Sequence, residues 1–275
     1  MNITFVTCWY NLKSKFDVEI YRKWMCNLIT NVNNFNLVIY TNKESYSVLE
    51  PLIEYSKNEK IKVIFKEWNE FYGYQWRDNW INNHQNNNLL NDKSRFNTDW
   101  KLNMLWNEKI NFVKESMDNK YFDTEWYGWC DIGYFRGGNN LTNEEIRKWP
   151  NKDKLNSLDK NRIYYGLPGN RRDLNLLSRI ILTKNENNMP AIPIPPEQVS
   201  IAGGFFLSQK DNIECWHTVY YNRLNDYFTH KYLVKDDQIV IIDCIINNLK
   251  NFKLIEEQDP RKDRWFVFQS FLILI

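Results

Sequence analysis

Short apolar runs alternate with amphipathic stretches along the first third of the chain. "NITFVTCWY" (2–10), "NLVIYTN" (36–42) and "IKVIFKEW" (61–68) show the pattern of short buried strands, the second ending in polar turn residues. Between the first two runs, Ile20, Tyr21, Trp24, Met25, Leu28, Ile29 and Val32 recur at helical spacing. They predict a helix over 18–32, with Asp17 as its N-cap. A second helix is predicted near 44–57. Strand, helix, strand, helix, strand is the order of a parallel sheet with helices on both faces. Right-handed crossovers then align the C-terminal strand ends along one edge.

Residues 69–98 are polar, aromatic and Asn-rich without a clean period, and read as a long loop. Leu102, Leu105, Trp106, Ile110, Val113 and Met117 predict one helix over 99–118. Lys109 lies on that apolar stripe, so its side chain either snorkels to the surface or is directed into a cleft. "EWYGWCDIGYFR" (125–136) is a fourth strand ending on a carboxylate, and Thr142 with Glu145 forms a capping box ahead of "NEEIRKW". "RIYYGLP" and "VSIAGGFFLS" are further strands, separated by the proline-rich connector "MPAIPIPPEQ". Helices are predicted over 211–227 and 236–248, with a last strand in "FKLIEE". No repeat and no linker divides the chain. The fold class is therefore α/β: one domain over 1–275, with a Rossmann-like, mostly parallel sheet flanked by helices.

Charge and cysteine content narrow the function. A net charge of +2, with acids and bases interspersed, lacks the basic excess of a nucleic-acid binder. No run of about eighteen apolar residues exists, so no transmembrane segment is expected. "MNITFVTC" lacks the basic lead and long apolar core of a secretory leader. The five cysteines are far apart and form no Cys-x-x-Cys pair, which fits free thiols in a reducing, cytoplasmic compartment. Twelve tryptophans supply rings that stack on sugars or bases as well as core.

The candidate chemistry starts at Asp131. In a doubly wound sheet, ligands bind outside the carboxyl ends of the strands, where the fourth strand delivers this carboxylate. Gly133 permits close backbone approach, and Arg136 offers a guanidinium to phosphate oxygens. A strand-end carboxylate with these neighbours suits a metal–diphosphate site, or else it caps a turn through hydrogen bonds. Asp236 and Asp237 precede an apolar helix, either as first-turn acids favoured by the helix dipole or as a catalytic base. Gly203 and Gly204 interrupt a strand and expose backbone for a substrate-facing wall. His217, alone on its helix, is a metal-ligand candidate set against a structural role.

"WCDIGYFR" resembles the Trp-x-Asp-x-Gly motif of the HtrL/YibB-type (WlaTC-like) glycosyltransferase family. "ITFVTCWYN", "WNEKINFVKES", "IAGGFFLSQKDNIECW" and "KDDQIVI" follow in the order that family shows. The resemblance implies the A-type nucleotide-sugar-dependent glycosyltransferase fold, with 1–136 binding a nucleotide sugar, UDP-linked for preference. Residues 137–275 would face a glycan or lipid-linked acceptor. It implies Mn²⁺ or Mg²⁺ on the diphosphate, held here by Asp131 with help from His217 or Asp236, because Gly133 replaces the second acid. Lys109 and Arg136 are the alternative carriers of phosphate charge. Thr7 to Tyr10 would meet the base and ribose, Gly203 and Gly204 the sugar and acceptor, and Asp237 or Asp236 would take the acceptor proton in an inverting reaction. A sugar nucleotidyltransferase is the poorer alternative, since "CWYNLKSK" has no glycine for a phosphate loop. A non-catalytic carbohydrate-binding protein is the other.

Overall fold

The structure is a computed structural model that describes residues 2–92, 96–137 and 141–273. The first third follows the predicted alternation: β1 (Ile3–Cys8), α1 (Val18–Ile29), β2 (Asn36–Thr41), α2 (Lys43–Ser56) and β3 (Ile61–Phe65). After α3 (Arg77–Asn86) comes a small antiparallel ribbon of β4 (Asn91–Asp92) and β5 (Phe96–Asn97). Next are α4 (Lys101–Asn107), α5 (Lys109–Asp118) and β6 (Trp126–Cys130). The second half adds α6 (Asn143–Lys148), α7 (Lys152–Asn156), β7 (Ile163–Gly166), α8 (Arg171–Leu182), β8 (Ala202–Gln209), α9 (Ile213–Thr229), α10 (Asp237–Asn247), β9 (Phe252–Ile255) and α11 (Val267–Phe271).

One seven-stranded sheet runs in the order β3-β2-β1-β6-β8-β7-β9. β8 alone runs antiparallel to its neighbours β6 and β7, while the β1–β2, β2–β3, β1–β6 and β7–β9 pairs are parallel. That reversal has a consequence for the site. The start of β8, not its end, lies beside the end of β6, with Cys130 registered against Phe205. A helix that leads into a parallel strand must begin at the sheet's C-terminal edge, so α5 before β6 and α10 before β9 both present their first residues there.

Each face of the sheet carries its own apolar layer. One gathers Val6, Phe112, Trp129, Phe206 and Trp216 beneath α5, α9 and α10. The other gathers Phe5, Leu28, Trp126, Trp149 and Phe205 beneath α1, α2 and α11. Phe5 stacks on Trp149 at 4.9 Å and Phe205 on Phe268 at 4.4 Å. Burying each such ring contributes on the order of 2–3 kcal/mol.

Two expectations need correction. The described part of 69–98 is not a plain loop: turns of 3-10 helix precede α3, and the segment is tied down at two points. The Glu108 carboxylate accepts the backbone N–H of Tyr72 (2.7 Å) and of Gly73 (2.8 Å), while Asn83 exchanges hydrogen bonds with the backbone of Val234 at 2.8 and 2.9 Å. The predicted helix over 99–118 is two helices meeting at Glu108, whose backbone ends one turn and starts the next. Sequence reading also passed over α8, whose Leu174, Leu177 and Ile181 face the core.

Candidate active site

Three segments far apart in sequence meet at the C-terminal edge. Asp131 follows β6, and its backbone N–H donates to the carbonyl of Gly204 at 2.9 Å. Lys109 opens α5 and turns inward rather than to the surface, with its side chain 10% exposed. Its Nζ donates to the carbonyl of Gly203 at 2.9 Å and lies 3.3 Å from Asp131 Oδ1 and 3.1 Å from Asp237 Oδ2. The indole of Trp129 donates to Asp131 Oδ1 at 2.6 Å, and its ring face lies 5.7 Å from the ammonium. One buried ammonium thus joins two carboxylates and a strand carbonyl.

The glycine pair makes this approach possible. A Cβ on Gly203 would stand 2.8 Å from Asp237 Oδ2, and one on Gly204 would stand 3.0 Å from Asp131 Oδ2. A side chain at Gly203 would push the Asp237 carboxylate out of place, and one at Gly204 would make the Asp131 carboxylate give way by a small amount.

Electrostatics separate the charged groups. Burial opposes the charge on Lys109, but Asp131 and Asp237 outweigh it and hold the ammonium above its usual range. Burial raises the Asp237 carboxyl to about 6, with Lys109 pulling the other way. Asp237 Oδ2 is buried and, its ion pair with Lys109 aside, accepts no hydrogen bond. Asp236 is otherwise engaged: it caps α10 by accepting from Ile239 N at 3.4 Å and pairs with Lys235 at 3.1 Å.

Two hollows open from this cluster. The first, of about 630 Å³, is walled by Trp9, Tyr10, Tyr21, Leu105 and Trp106. The second, of about 820 Å³, lies between Lys15, Gly203, Gly204, Asp236, Asp237 and Phe266. Lys109, Asp131, Gly133 and Arg136 line both, so the two form one cleft. Arg136 is held by aromatic faces, its guanidinium 4.9 Å from the ring of Trp24 and 5.2 Å from that of Phe266.

The structure brings together Asp131, Lys109, Arg136, Gly203, Gly204, Asp236 and Asp237, and sets Tyr10 in the wall, its hydroxyl donating to the carbonyl of Lys66 at 3.0 Å. Two residues are not brought there. Thr7 is fully buried within β1 and is absent from the cleft lining; the segment that reaches the cleft starts at Cys8. His217 lies against α5, its Nε2 3.1 Å from Asn111 Oδ1 and its ring packed by Tyr72 and Tyr221. Burial there lowers its pKa to about 4. It is a packed core histidine. Tyr21, Trp106 and Lys15 are cleft residues the sequence reading missed; the two rings sit on helical stripes, where aromatic residues look like core, and Lys15 lies in a stretch with no period.

The family resemblance raises the expectation of a divalent ion on a donor's diphosphate, and hard cations take roughly six to eight oxygen ligands. The residues present do not fit a resident ion. Among the described residues, no group of three His, Cys, Asp or Glu side chains could hold a metal. Asp131 Oδ1 is already engaged by Trp129 and Lys109, and the position where a second acid would stand is Gly133.

No protein-family model matches the chain, and no curated protein matches it in sequence. Solved structures do. Core-mannan synthase A from Aspergillus fumigatus, in a Mn/GDP form, superimposes with a TM-score of 0.50 at 9% identity, over 93% of this chain and 73% of that one. The galactosyltransferase LgtC, solved with donor and acceptor sugar analogues, covers 96% of this chain and 83% of its own at 11% identity, but its TM-score of 0.47 carries no inference. The likeness to the mannan synthase, with the sheet order above, shows the architecture: this chain has the A-type glycosyltransferase fold.

Proposed function

We propose that the protein transfers a sugar from a nucleoside-diphosphate-sugar donor to a hydroxyl group of a glycan or lipid-linked acceptor, as the resemblance to the HtrL/YibB-type family implies. One observation carries the reading: the Asp131–Lys109–Asp237 cluster stands at the C-terminal edge of an A-type sheet, lining both hollows of the cleft. The aromatic hollow beside β1 suits a base and ribose, and the hollow beneath Gly203 and Gly204 suits the sugar and acceptor. Residues 1–136 thus serve the nucleotide and 137–275 the acceptor side. UDP is the first nucleotide to try, and GDP belongs in the same panel because the mannan synthase structure holds it. The five free cysteines fit a reducing, cytoplasmic setting, and no described helix is long and apolar enough to cross a membrane.

In the reaction the acceptor oxygen bonds to the anomeric carbon as the bond from that carbon to the diphosphate oxygen breaks, and the nucleoside diphosphate departs with the electron pair. The ammonium and guanidinium of Lys109 and Arg136 stabilise the charge that develops on it. Asp237 is the better placed of the two candidate bases. Its carboxyl is raised to about 6, close to the pH at which a base must work, whereas Asp236 is committed to its helix cap and to Lys235. If the anomeric centre inverts, Asp237 takes the acceptor proton; if it is retained, the leaving phosphate takes it.

The test is release of free nucleoside diphosphate from UDP-, GDP- and dTDP-sugars by the wild type and by Asp131→Asn. Consumption of one donor class, lost in the variant, is the expected result. No consumption of any donor, or full activity in Asp131→Asn, overturns the reading. Glycan binding that survives that substitution would instead favour a carbohydrate-binding protein.

A further inference from the structure

We infer that the ammonium of Lys109 is the built-in counter-charge of this cleft and meets the donor's diphosphate in place of a divalent ion. The inference rests on the transferase reading and specifies how that site neutralises its ligand.

Four observations converge. Nζ already occupies the point between the carboxylates of Asp131 and Asp237, 3.3 and 3.1 Å away, where a bridging cation would sit. The contact is built, not incidental: the side chain is 10% exposed, its ammonium is tied to the carbonyl of Gly203, and two glycines keep the space open for the carboxylates. Second, Lys109 lines the aromatic hollow as well as the one beneath the glycines, so the charge is reachable from the cleft despite its burial.

Third, the position two residues after Asp131 has no room for a ligand. A Cβ on Gly133 would stand 2.9 Å from Cε3 of Trp24, so a carboxylate there would collide with α1. The missing second acid is therefore a packing feature of this chain, and the same Trp24 carries the Arg136 guanidinium on its ring face. Fourth, the aromatic hollow is lined by two cations: Lys109, shared by Asp131 and Asp237, and Arg136, whose guanidinium is carried on the ring faces of Trp24 and Phe266. A planar guanidinium and a compact ammonium are complementary phosphate donors, the first able to bind two oxygens at once and the second acting as a point charge.

The roles within the cluster follow. Asp131 and Asp237 orient the ammonium and hold it charged in a site that would otherwise disfavour it; with its three N–H donors facing Gly203, Asp131 and Asp237, Lys109 meets phosphate oxygens by turning a donor from a carboxylate to the ligand. Asp131 is on this view a positioning residue for the cation, which explains how a single acid suffices.

The experiment is calorimetric titration of UDP, GDP and dTDP into the wild-type protein, once with excess EDTA and once with Mn²⁺, alongside titration of Mn²⁺ alone. The expected result is one nucleotide whose Kd differs by less than about threefold between the two conditions, with no saturable Mn²⁺ binding to the free protein. Lys109→Met is expected to weaken that nucleotide by about tenfold or more, without rescue by Mn²⁺. Since this variant leaves two acids unpaired, Lys109→Met/Asp237→Asn is titrated as well, because it leaves no unpaired buried carboxylate beside the deletion. Binding that needs Mn²⁺, or that survives loss of Lys109, overturns the inference while leaving the transferase reading in place. No nucleotide binding under either condition overturns both.

Discussion

Asp237 and Asp243 lie less than two turns apart on α10, and each faces a buried cation, yet their surroundings differ in kind. Asp243 is fully buried and both its oxygens are met: Oδ2 by Arg223 Nε at 2.8 Å and by the Tyr227 hydroxyl at 2.9 Å, Oδ1 by Asn247 at 2.7 Å. Lys184 adds a second cation at 3.7 Å. Asp237 shares one ammonium with Asp131, keeps an oxygen without a hydrogen bond, and opens onto a cleft through a pair of glycines. The ingredients are nearly the same. A closed network in which both carboxylate oxygens are met holds helices together; an open one whose carboxylate keeps an oxygen without a hydrogen bond at a cleft is poised for a ligand.

The contrast can be broken at several points. The largest effect belongs to the closed network. Arg223→Met removes the nearer of the two cations on buried Asp243, leaving Lys184 at 3.7 Å, and is expected to destabilise the fold by about 3 kcal/mol, read by urea denaturation, while the folded fraction keeps its nucleotide affinity. Asp131→Asn should do the reverse. Its side chain is 37% exposed, so stability should stay within about 1 kcal/mol of wild type while turnover falls by about a hundredfold. If Asp131→Asn unfolded the protein and Arg223→Met abolished binding, the two networks would have to exchange roles.

Asp237 supplies the pH test. Its folded pKa is raised to about 6, so the carboxyl stays protonated below that pH and cannot accept a proton. If it is the base, kcat/KM falls about tenfold per pH unit below about 6 and is level above it, and Asp237→Asn removes the dependence along with most of the rate. A flat wild-type profile would assign the acceptor proton to the leaving phosphate. A smaller effect, about tenfold in donor KM with kcat less affected, is expected of Gly204→Ala, whose new Cβ would stand 3.0 Å from Asp131 Oδ2. The least effect belongs to His217→Gln: steady-state rates within about twofold of wild type, because the ring is held by Asn111, Tyr72 and Tyr221 away from the cleft lining.

The architecture could be read from the chain because its carriers are periodic. β1, α1, β2, α2 and β3 announce themselves by spacing, and Asp131 is conspicuous as a carboxylate at the end of an apolar strand. Gly203–Gly204 and Asp236–Asp237 could likewise be picked out as breaks in apolar runs. That these three segments meet depends on β8 running antiparallel, which places its first residues beside the end of β6. No local pattern encodes that pairing. Lys109 shows the same limit: its place on an apolar stripe says only that it faces inward, and the partners that make it functional come from α10 and β8. Thr7 was misplaced because the edge of the sheet lies one residue further on, and His217 because a helical position cannot reveal which neighbour covers it. The segment over 69–98 has no local period because its fixing points are long-range: the buried Glu108 carboxylate on Tyr72 and Gly73, and Asn83 bonded to Val234.

The most direct test is a crystal structure of the protein with the nucleoside diphosphate that binds best, grown without divalent ions. The base should lie in the hollow walled by Trp9, Tyr21 and Trp106, with diphosphate oxygens within hydrogen-bonding distance of Lys109 Nζ and Arg136. A nucleotide ordered elsewhere on the surface, or a diphosphate directed away from Lys109 and Asp131, would contradict the assignment of this cleft as a glycosyl-transfer site.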